Sequence, residues 1–385
     1  MNTNYDYKRK RIKFLGISFT FKTKKWLKEA IVQNIKLNKT NLSYQIKTNK
    51  NILFIVSNLM EKGGIETRLF QYINQLTNLG WNCYILSENN KNEDLNKFIN
   101  FYLNFDAKNF DDCLNEIIDK YNIKTIEFQF KNPKILKNLN LKNLKKKATI
   151  GYTIHNTGIK NQNLINNFNY KIFVSKFMYE NHYRKISNPT IIQNQIEIDK
   201  YINVPSWEYK NQKTALLISR ISQDKLASIE CFIQYCIKNN IDFLIAGKQE
   251  PKKNIKEKIL KKYNLNENIF IGNIDTIDYL SKNIENILFV GGMGLSILEA
   301  LFLNFPCFCC NNYKAKSYSF ITKNNIQYFD NFTINKNSLI VKNRKKEYCL
   351  DLEDISKYQQ RDFIIKNRNI NSTIQNYIET IKNNV

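Results

Sequence analysis

Ten consecutive residues hold the densest chemistry in the chain: Gly291-Gly292-Met293-Gly294-Leu295-Ser296-Ile297-Leu298-Glu299-Ala300. They join the apolar run Ile287–Val290 to a stretch of helical spacing that reaches about Asn304. Three glycines at a helix start expose backbone N–H groups, and that end of a helix favours negative charge. Such a turn suits phosphate and sugar oxygens. Glu299 stands in the second turn, where a carboxylate either accepts hydrogen bonds from a ribose diol or faces solvent. Arg220 and Lys225 flank the loop after another apolar run, Ala215–Ser219. A guanidinium fork and an ammonium at a strand end would neutralise a diphosphate, or are two of the many surface cations. Gly63-Gly64 follows the run Ile52–Val56 and precedes a helical pattern, as an anion-approach loop or a tight turn. His155 closes Thr149–Ile154, either as a structural histidine or as one aimed at a ligand.

These residues need strands and helices to hold them. Short continuous apolar runs read as buried parallel strands: 52–56, 83–86, 125–130, 149–154 and 171–174. Helical spacing follows Gly64, with Ile65, Leu69, Ile73 and Leu76 closed by Gly80, and recurs near 110–121 and 176–185. The alternation pauses at Asn203–Lys213, which contains Pro205 and Trp207, then restarts. The second set places strands at 215–219, 242–246, 269–271, 287–290 and 306–310, with helices at 227–237, up to about 262 and after Leu295. Alternation of this kind predicts doubly wound parallel sheets. The expected division is a basic extension over 1–48, a Rossmann-like domain over 49–204, a second over 205–350, and a helical tail over 351–385 that packs back through Ile374, Tyr377, Ile378 and Ile381. No short-period repeat is visible.

Composition narrows the function classes. Of 385 residues, 43% are hydrophobic and 24% charged, which excludes a wholly disordered chain. The net charge of +25 favours acidic partners, although the wealth of Asn, Lys and Ile also fits mutational drift in an AT-rich genome. Residues 1–50 alone hold 13 Lys+Arg against 2 acids. They read as a solvated tail or a surface-binding segment. Within them Trp26, Leu27, Ala30, Ile31 and Ile35 recur at helical spacing opposite Lys22, Lys25 and Lys36, which predicts an interfacial helix or one packed on the body. No secretory signal and no membrane span are visible, so a cytoplasmic location is expected. Of eight cysteines, only Cys307 and Cys310 have Cys-x-x-Cys spacing, and with two histidines in the chain this argues against zinc. Scattered apolar cysteines fit a reducing compartment.

The ordered set of motifs resembles the family 4 glycosyltransferases, a retaining group with the GT-B fold, from about Asn51 to Asn311. Ile52–Gly64 resembles their first strand and Gly-Gly loop; Thr153-Ile154-His155 their strand ending in His; Val174-Ser175 their Val-Ser element. Ser219–Lys225 resembles their Gly-Arg-x4-Lys phosphate motif, Ile245-Ala246-Gly247 and Phe270-Ile271-Gly272 two strand ends, and Gly291–Ala300 their donor loop. Ile192–Ile196 weakly resembles their Pro-Asn-Gly segment.

The resemblance implies an α/β chain of two Rossmann-like domains facing across a cleft, with a basic N-terminal extension. It also implies a site. Arg220 and Lys225 would hold the donor diphosphate, and Met293, Gly294, Leu295 and Ser296 would meet sugar and phosphate through backbone. Glu299 would bind ribose, Gly272 to Ile274 would line the base pocket, and Gly63, Gly64 and Gly247 would border the donor. His155 would reach the donor sugar. The implied reaction is retaining transfer from a nucleotide sugar, UDP- or GDP-linked, to a hydroxyl of a bacterial surface glycan or lipid-linked acceptor. No cofactor and no metal are expected, since no Asp-x-Asp motif occurs. The basic extension would lie on the anionic inner membrane face; nucleic acid is not expected as a partner. The alternative is a non-catalytic GT-B subunit that binds a glycan or a transferase. A dehydrogenase is disfavoured by the missing Gly-x-Gly-x-x-Gly. Three departures stand out: Gly291 where the family has the first Glu of a Glu-x7-Glu pair, Ser219 for Gly, and Gln193-Asn194-Gln195 without Pro or Gly. Gly291 is expected to face the donor, and the missing carboxylate implies an unusual donor geometry, slower chemistry or a lost activity.

Overall fold

The computed structural model describes residues 9–14, 17–22, 50–59, 64–90, 99–102, 110–129, 139–155, 162–250, 254–310, 318–326 and 350–384. Gly63, Phe130 and the candidate interfacial helix at 26–37 lie outside the described residues. The chain packs into two compact units, residues 1–62 with 76–151, and residues 63–75 with 152–385.

Part of the basic N-terminal extension forms a strand pair. β1 (Arg9–Phe14) pairs antiparallel with β2 (Ile17–Lys22), Arg9 opposite Lys22 and Phe14 opposite Ile17. A period-two alternation of Ile12, Phe14, Ile17, Phe19 and Phe21 with polar residues accounts for it.

The first large sheet has strand order β5-β4-β3-β6-β7-β8-β9. Its members are β3 (Asn51–Leu59), β4 (Asn82–Asn90), β5 (Ile99–Tyr102), β6 (Thr125–Phe128), β7 (Thr149–Ile154), β8 (Tyr170–Phe173) and β9 (Pro189–Ile191). The β3–β4, β3–β6, β4–β5 and β8–β9 pairs are parallel. The strands carry unbroken apolar runs because both faces are covered; Ile52 to Val56 and all six residues of β7 are buried. Connecting helices are α1 (Gly64–Asn78), α2 (Phe110–Lys120), α3 (Leu141–Lys145), α4 (Gln162–Asn166) and α5 (Lys176–His182). Ser175 caps α5 by accepting from the Met178 amide.

The second large sheet has order β12-β11-β10-β13-β14-β15. It contains β10 (Thr214–Ile218), β11 (Asp242–Ala246), β12 (Phe270–Gly272), β13 (Ile287–Gly292), β14 (Cys307–Cys310) and β15 (Tyr318–Ile321). β10 to β14 are parallel and β15 closes the edge antiparallel. α6 (Leu226–Lys238), α7 (Ile255–Tyr263), α8 (Thr276–Lys282) and α9 (Leu295–Phe302) make the crossovers. One face of the sheet packs Leu216, Val290, Ile297 and Leu301; the other packs Leu217, Phe232, Phe289 and Phe308. Cys307 and Cys309 are buried in β14, where burial pushes both thiols well up.

Trp207 ties this sheet from below. Its indole N–H donates to the Ile287 carbonyl at 2.7 Å, and its backbone N–H to the Leu303 carbonyl at 2.7 Å. It thereby fixes the start of β13 and the end of α9, the elements that bracket the glycine-rich turn. The chain ends in α10 (Arg361–Arg368) and α11 (Ile370–Lys382), and α11 buries Ile374, Tyr377, Ile378 and Ile381. Tyr377 meets Tyr72 of α1 edge-on at 4.9 Å, and the Ile196 amide donates to the Arg368 carbonyl at 2.9 Å. Arg68 of α1, 2% exposed, donates to the Ile192 carbonyl at 3.2 Å, so the segment 192–196 is gripped from two helices. Among the described residues no helix is long and apolar enough to cross a membrane.

Candidate functional site

The order of the second sheet reverses between β10 and β13. The chain leaves β10 toward β11 and β12, then returns on the other side. Open α/β sheets bind ligands at such a reversal, beyond the carboxyl ends of the strands. The loops that leave β10 and β13 are 219–225 and 293–294, within the two segments where phosphate contacts are expected.

The structure joins them. Lys225 Nζ donates to Met293 Sδ at 3.0 Å, and the Ser296 hydroxyl donates to the Met293 carbonyl at 3.2 Å. Gly294 opens α9 at φ +71° without any side-chain cap, so first-turn amides remain available to a ligand. Arg220 is exposed, and its Nη2 lies 3.5 Å from Asp224 Oδ2. Lys225 Nζ lies 3.9 Å from the same oxygen, and the Ser222 hydroxyl donates to Asp224 Oδ1 at 2.5 Å. Burial alone would raise the Asp224 carboxyl, but Ser222 and the Lys225 and Arg220 charges hold it below its ordinary value. Asp224 was not foreseen as part of this group; its place four residues after Arg220 was the available signal.

Glycines at the strand ends serve two purposes. A Cβ at Gly247 would fall 1.9 Å from the Ser219 carbonyl oxygen, so this glycine lets the exits of β10 and β11 touch. Its amide donates to the Gly272 carbonyl at 2.6 Å. Gly272, at φ +81°, has nothing within 4 Å of a Cβ. A Cβ at Gly292 would lie 2.9 Å from the Ile218 carbonyl oxygen.

Gly291 corrects the expectation that it faces the donor. It lies inside β13, paired with Leu217 and Phe308, and a Cβ there would fall 2.6 Å from Phe232 Cδ2 and 3.2 Å from Leu217 Cδ1. Position 291 therefore points into the aromatic core under α6. The strand runs two residues beyond Val290, and its period of two puts Gly291 on the face of Phe289.

The remaining expected residues fall as follows. Glu299 is half-buried on α9, where burial pushes its carboxyl up to about 7, the Thr276 hydroxyl bond draws it back and the Asp275 charge adds to the rise. Ile274, after β12, packs against the hydrophobic core and is half-buried. Leu295 is also half-buried and packs there. His155 follows the last residue of β7 and is half-buried, and exposed Gly64 opens α1. Among the described residues no cluster of three His, Cys, Asp or Glu side chains is placed to hold a metal ion.

Solved structures share this fold. A glycosyltransferase from Rickettsia africae ESF-5 superposes with TM-score 0.62 at 17% identity, over 88% of this chain and 99% of that one. Anabaena HepE in complex with UDP-glucose gives TM-score 0.60 at 12% identity, over 86% and 99%. The fold is GT-B. The lipopolysaccharide outer core galactosyltransferase WaaB, in its apo form, gives 0.57 at 13% identity, over 87% and 100%. No protein-family model and no curated protein matches the chain.

Two predictions follow from the packing and the charge of this site. Gly291→Ala should destabilise the protein by about 1–3 kcal/mol through overpacking against Phe232. Gly291→Glu should cost more, because it buries a carboxylate among aromatic rings. Urea unfolding measures both, and unchanged midpoints would show that Phe232 yields freely. For Glu299, the folded state keeps a proton that the unfolded chain loses near 4.5. Stability should therefore fall as pH rises from about 4.5 to about 7 and level off above. Glu299→Gln should remove that part of the slope, which unfolding at about pH 5, about pH 6 and about pH 8 would reveal.

Proposed function

We propose that the chain is a retaining glycosyltransferase of the family 4 type, which moves a sugar from a nucleotide sugar to a hydroxyl of a bacterial surface glycan. The observation that carries this reading is the contact of Lys225 with Met293, which sets one cation beside the uncapped, glycine-rich start of α9, while Arg220 shares Asp224 with it. Arg220 and Lys225 would exchange Asp224 for the donor diphosphate. An exposed ion pair is weak, so the exchange costs little, and the cations then stabilise charge on the departing nucleotide. First-turn amides of α9 would meet the sugar and phosphate oxygens, with Ser296 holding the turn in shape. Glu299 would accept from the ribose diol, with Gly272 and Ile274 near the base. His155 would act at the donor sugar.

No metal or organic cofactor is needed in this scheme, because cations and the helix end supply the positive charge. HepE binds UDP-glucose in its crystal, and WaaB is a lipopolysaccharide outer core galactosyltransferase. The likeness to HepE supports a nucleotide-sugar donor; the envelope glycan acceptor is part of the proposal. The basic residues 1–48 would hold the enzyme on the inner face of the cell membrane, close to a lipid-linked acceptor.

Lys225→Ala tests the assignment. It should cut turnover of the preferred UDP- or GDP-sugar by roughly 10²-fold and weaken nucleoside diphosphate binding. Wild-type kinetics in the variant would remove Lys225 from the mechanism. A wild type that neither transfers nor hydrolyses any nucleotide sugar would favour a glycan-binding subunit.

A further inference from the structure

The side chain of Lys225 lies closer to sulfur than to its neighbouring acid. Its ammonium donates to the Met293 thioether at 3.0 Å, while Asp224 Oδ2 stands 3.9 Å away, beyond hydrogen-bond distance. A thioether is a weak acceptor, so it holds the ammonium at the start of α9 and still gives way to an arriving oxyanion. The Ser296 hydroxyl donates to the Met293 carbonyl at 3.2 Å, which fixes the backbone of this residue apart from its side chain.

Buried sulfur atoms elsewhere make the contrast. Cys83, Cys113, Cys231, Cys236, Cys307 and Cys309 are all buried. Burial pushes the Cys83 thiol up to about 12 and the Cys113 thiol up to about 11, far from the reactive thiolate. Of the two described methionines, Met178 on α5 is 4% exposed. Met293 is half-buried, at the exit of β13. An oxidant in solvent therefore reaches Met293 more readily than these buried sulfur atoms.

We propose that Met293 is a modification site for peroxide, and that its sulfoxide closes Lys225 to a diphosphate. The second half of this inference rests on the donor-site reading above. In the step, sulfur gives an electron pair to one oxygen of hydrogen peroxide and the O–O bond breaks. The departing hydroxide takes the proton that the transferred oxygen sheds and leaves as water. Sulfur is oxidised, peroxide is reduced, and no other reactant enters. The sulfoxide turns an apolar side chain into a polar one with a strong acceptor oxygen. That oxygen holds the Lys225 ammonium more firmly than the thioether does, as a charge-assisted hydrogen bond. It also places negative charge where phosphate oxygens would arrive. A methionine sulfoxide reductase reverses the change.

The test treats the full-length protein with hydrogen peroxide, maps the added oxygen by peptide mass spectrometry, and titrates UDP by calorimetry before and after. Met293 should gain one oxygen atom while Met178 does not. UDP affinity should fall by about tenfold or more and return after treatment with the reductase. Met293→Leu, whatever its own affinity, should bind UDP equally before and after peroxide. Because that variant keeps Met1 and Met60, it separates Met293 from the other methionines. A second readout needs no nucleotide: acylation of Lys225 by acetic anhydride should be slower in the oxidised protein, since the sulfoxide favours the charged ammonium. Loss of UDP binding without oxygen on Met293, an equal loss in Met293→Leu, or complete oxidation with UDP binding and Lys225 acylation both unchanged would each overturn the proposal. An untreated protein that binds neither UDP nor GDP would instead remove the diphosphate reading of the loop. The acylation rates would then decide whether the sulfoxide seizes Lys225, and equal rates would overturn that too.

Discussion

The second half of the molecule depends on one close approach of backbone to backbone. Gly247 sits where a single methyl group would fall 1.9 Å from the Ser219 carbonyl oxygen. Because no side chain stands there, the exits of β10 and β11 run against each other. The Ile221 amide then reaches the Lys248 carbonyl at 2.9 Å. That bond steers the 219–225 loop back across the sheet, and Lys225 arrives at Met293. The packing of the strand ends and the placement of the cations are thus one constraint seen at two levels.

The same economy applies on β13. Gly291 and Gly292 are adjacent but look to opposite faces. Gly291 admits the Phe232 ring from below, and Gly292 admits the Ile218 carbonyl from the other side. Together they bring the β13 exit close to β10, and the glycine turn follows at once into α9. In this frame a carboxylate at position 291 has nowhere to go. In the proposed function, donor recognition on this loop would then fall to backbone amides, to Ser296 and to Glu299, whose carboxyl burial pushes up to about 7.

Much of this was legible in the sequence because parallel strands buried on both faces need continuous apolar runs. β7 and β11 match their expected limits, and the segments 219–225 and 293–300 follow two strands that the topology makes neighbours. Other features escaped for physical reasons. A glycine needed for a ligand and a glycine needed for a neighbouring ring look alike in sequence; Phe232, far from Gly291 along the chain, decides between them. β9 offers only three residues, Pro189–Ile191, and no strong apolar run. α8 is short, and its capping Asp275 was the only local cue. β1 and β2 were masked by their charge: a run of lysine and arginine suggested a tail, although the residues between alternate as a hairpin does.

The central claim is that the 219–225 loop and the start of α9 together form a diphosphate site. Calorimetric titration of the wild-type protein with UDP and with uridine tests it most directly, since the two ligands differ only in the diphosphate. Charge-assisted contacts to Arg220 and Lys225 are worth about 1.5–3 kcal/mol each, so UDP should bind at least roughly 100-fold more tightly than uridine. Equal affinity for the two, or no binding of UDP and GDP alike, would contradict the account.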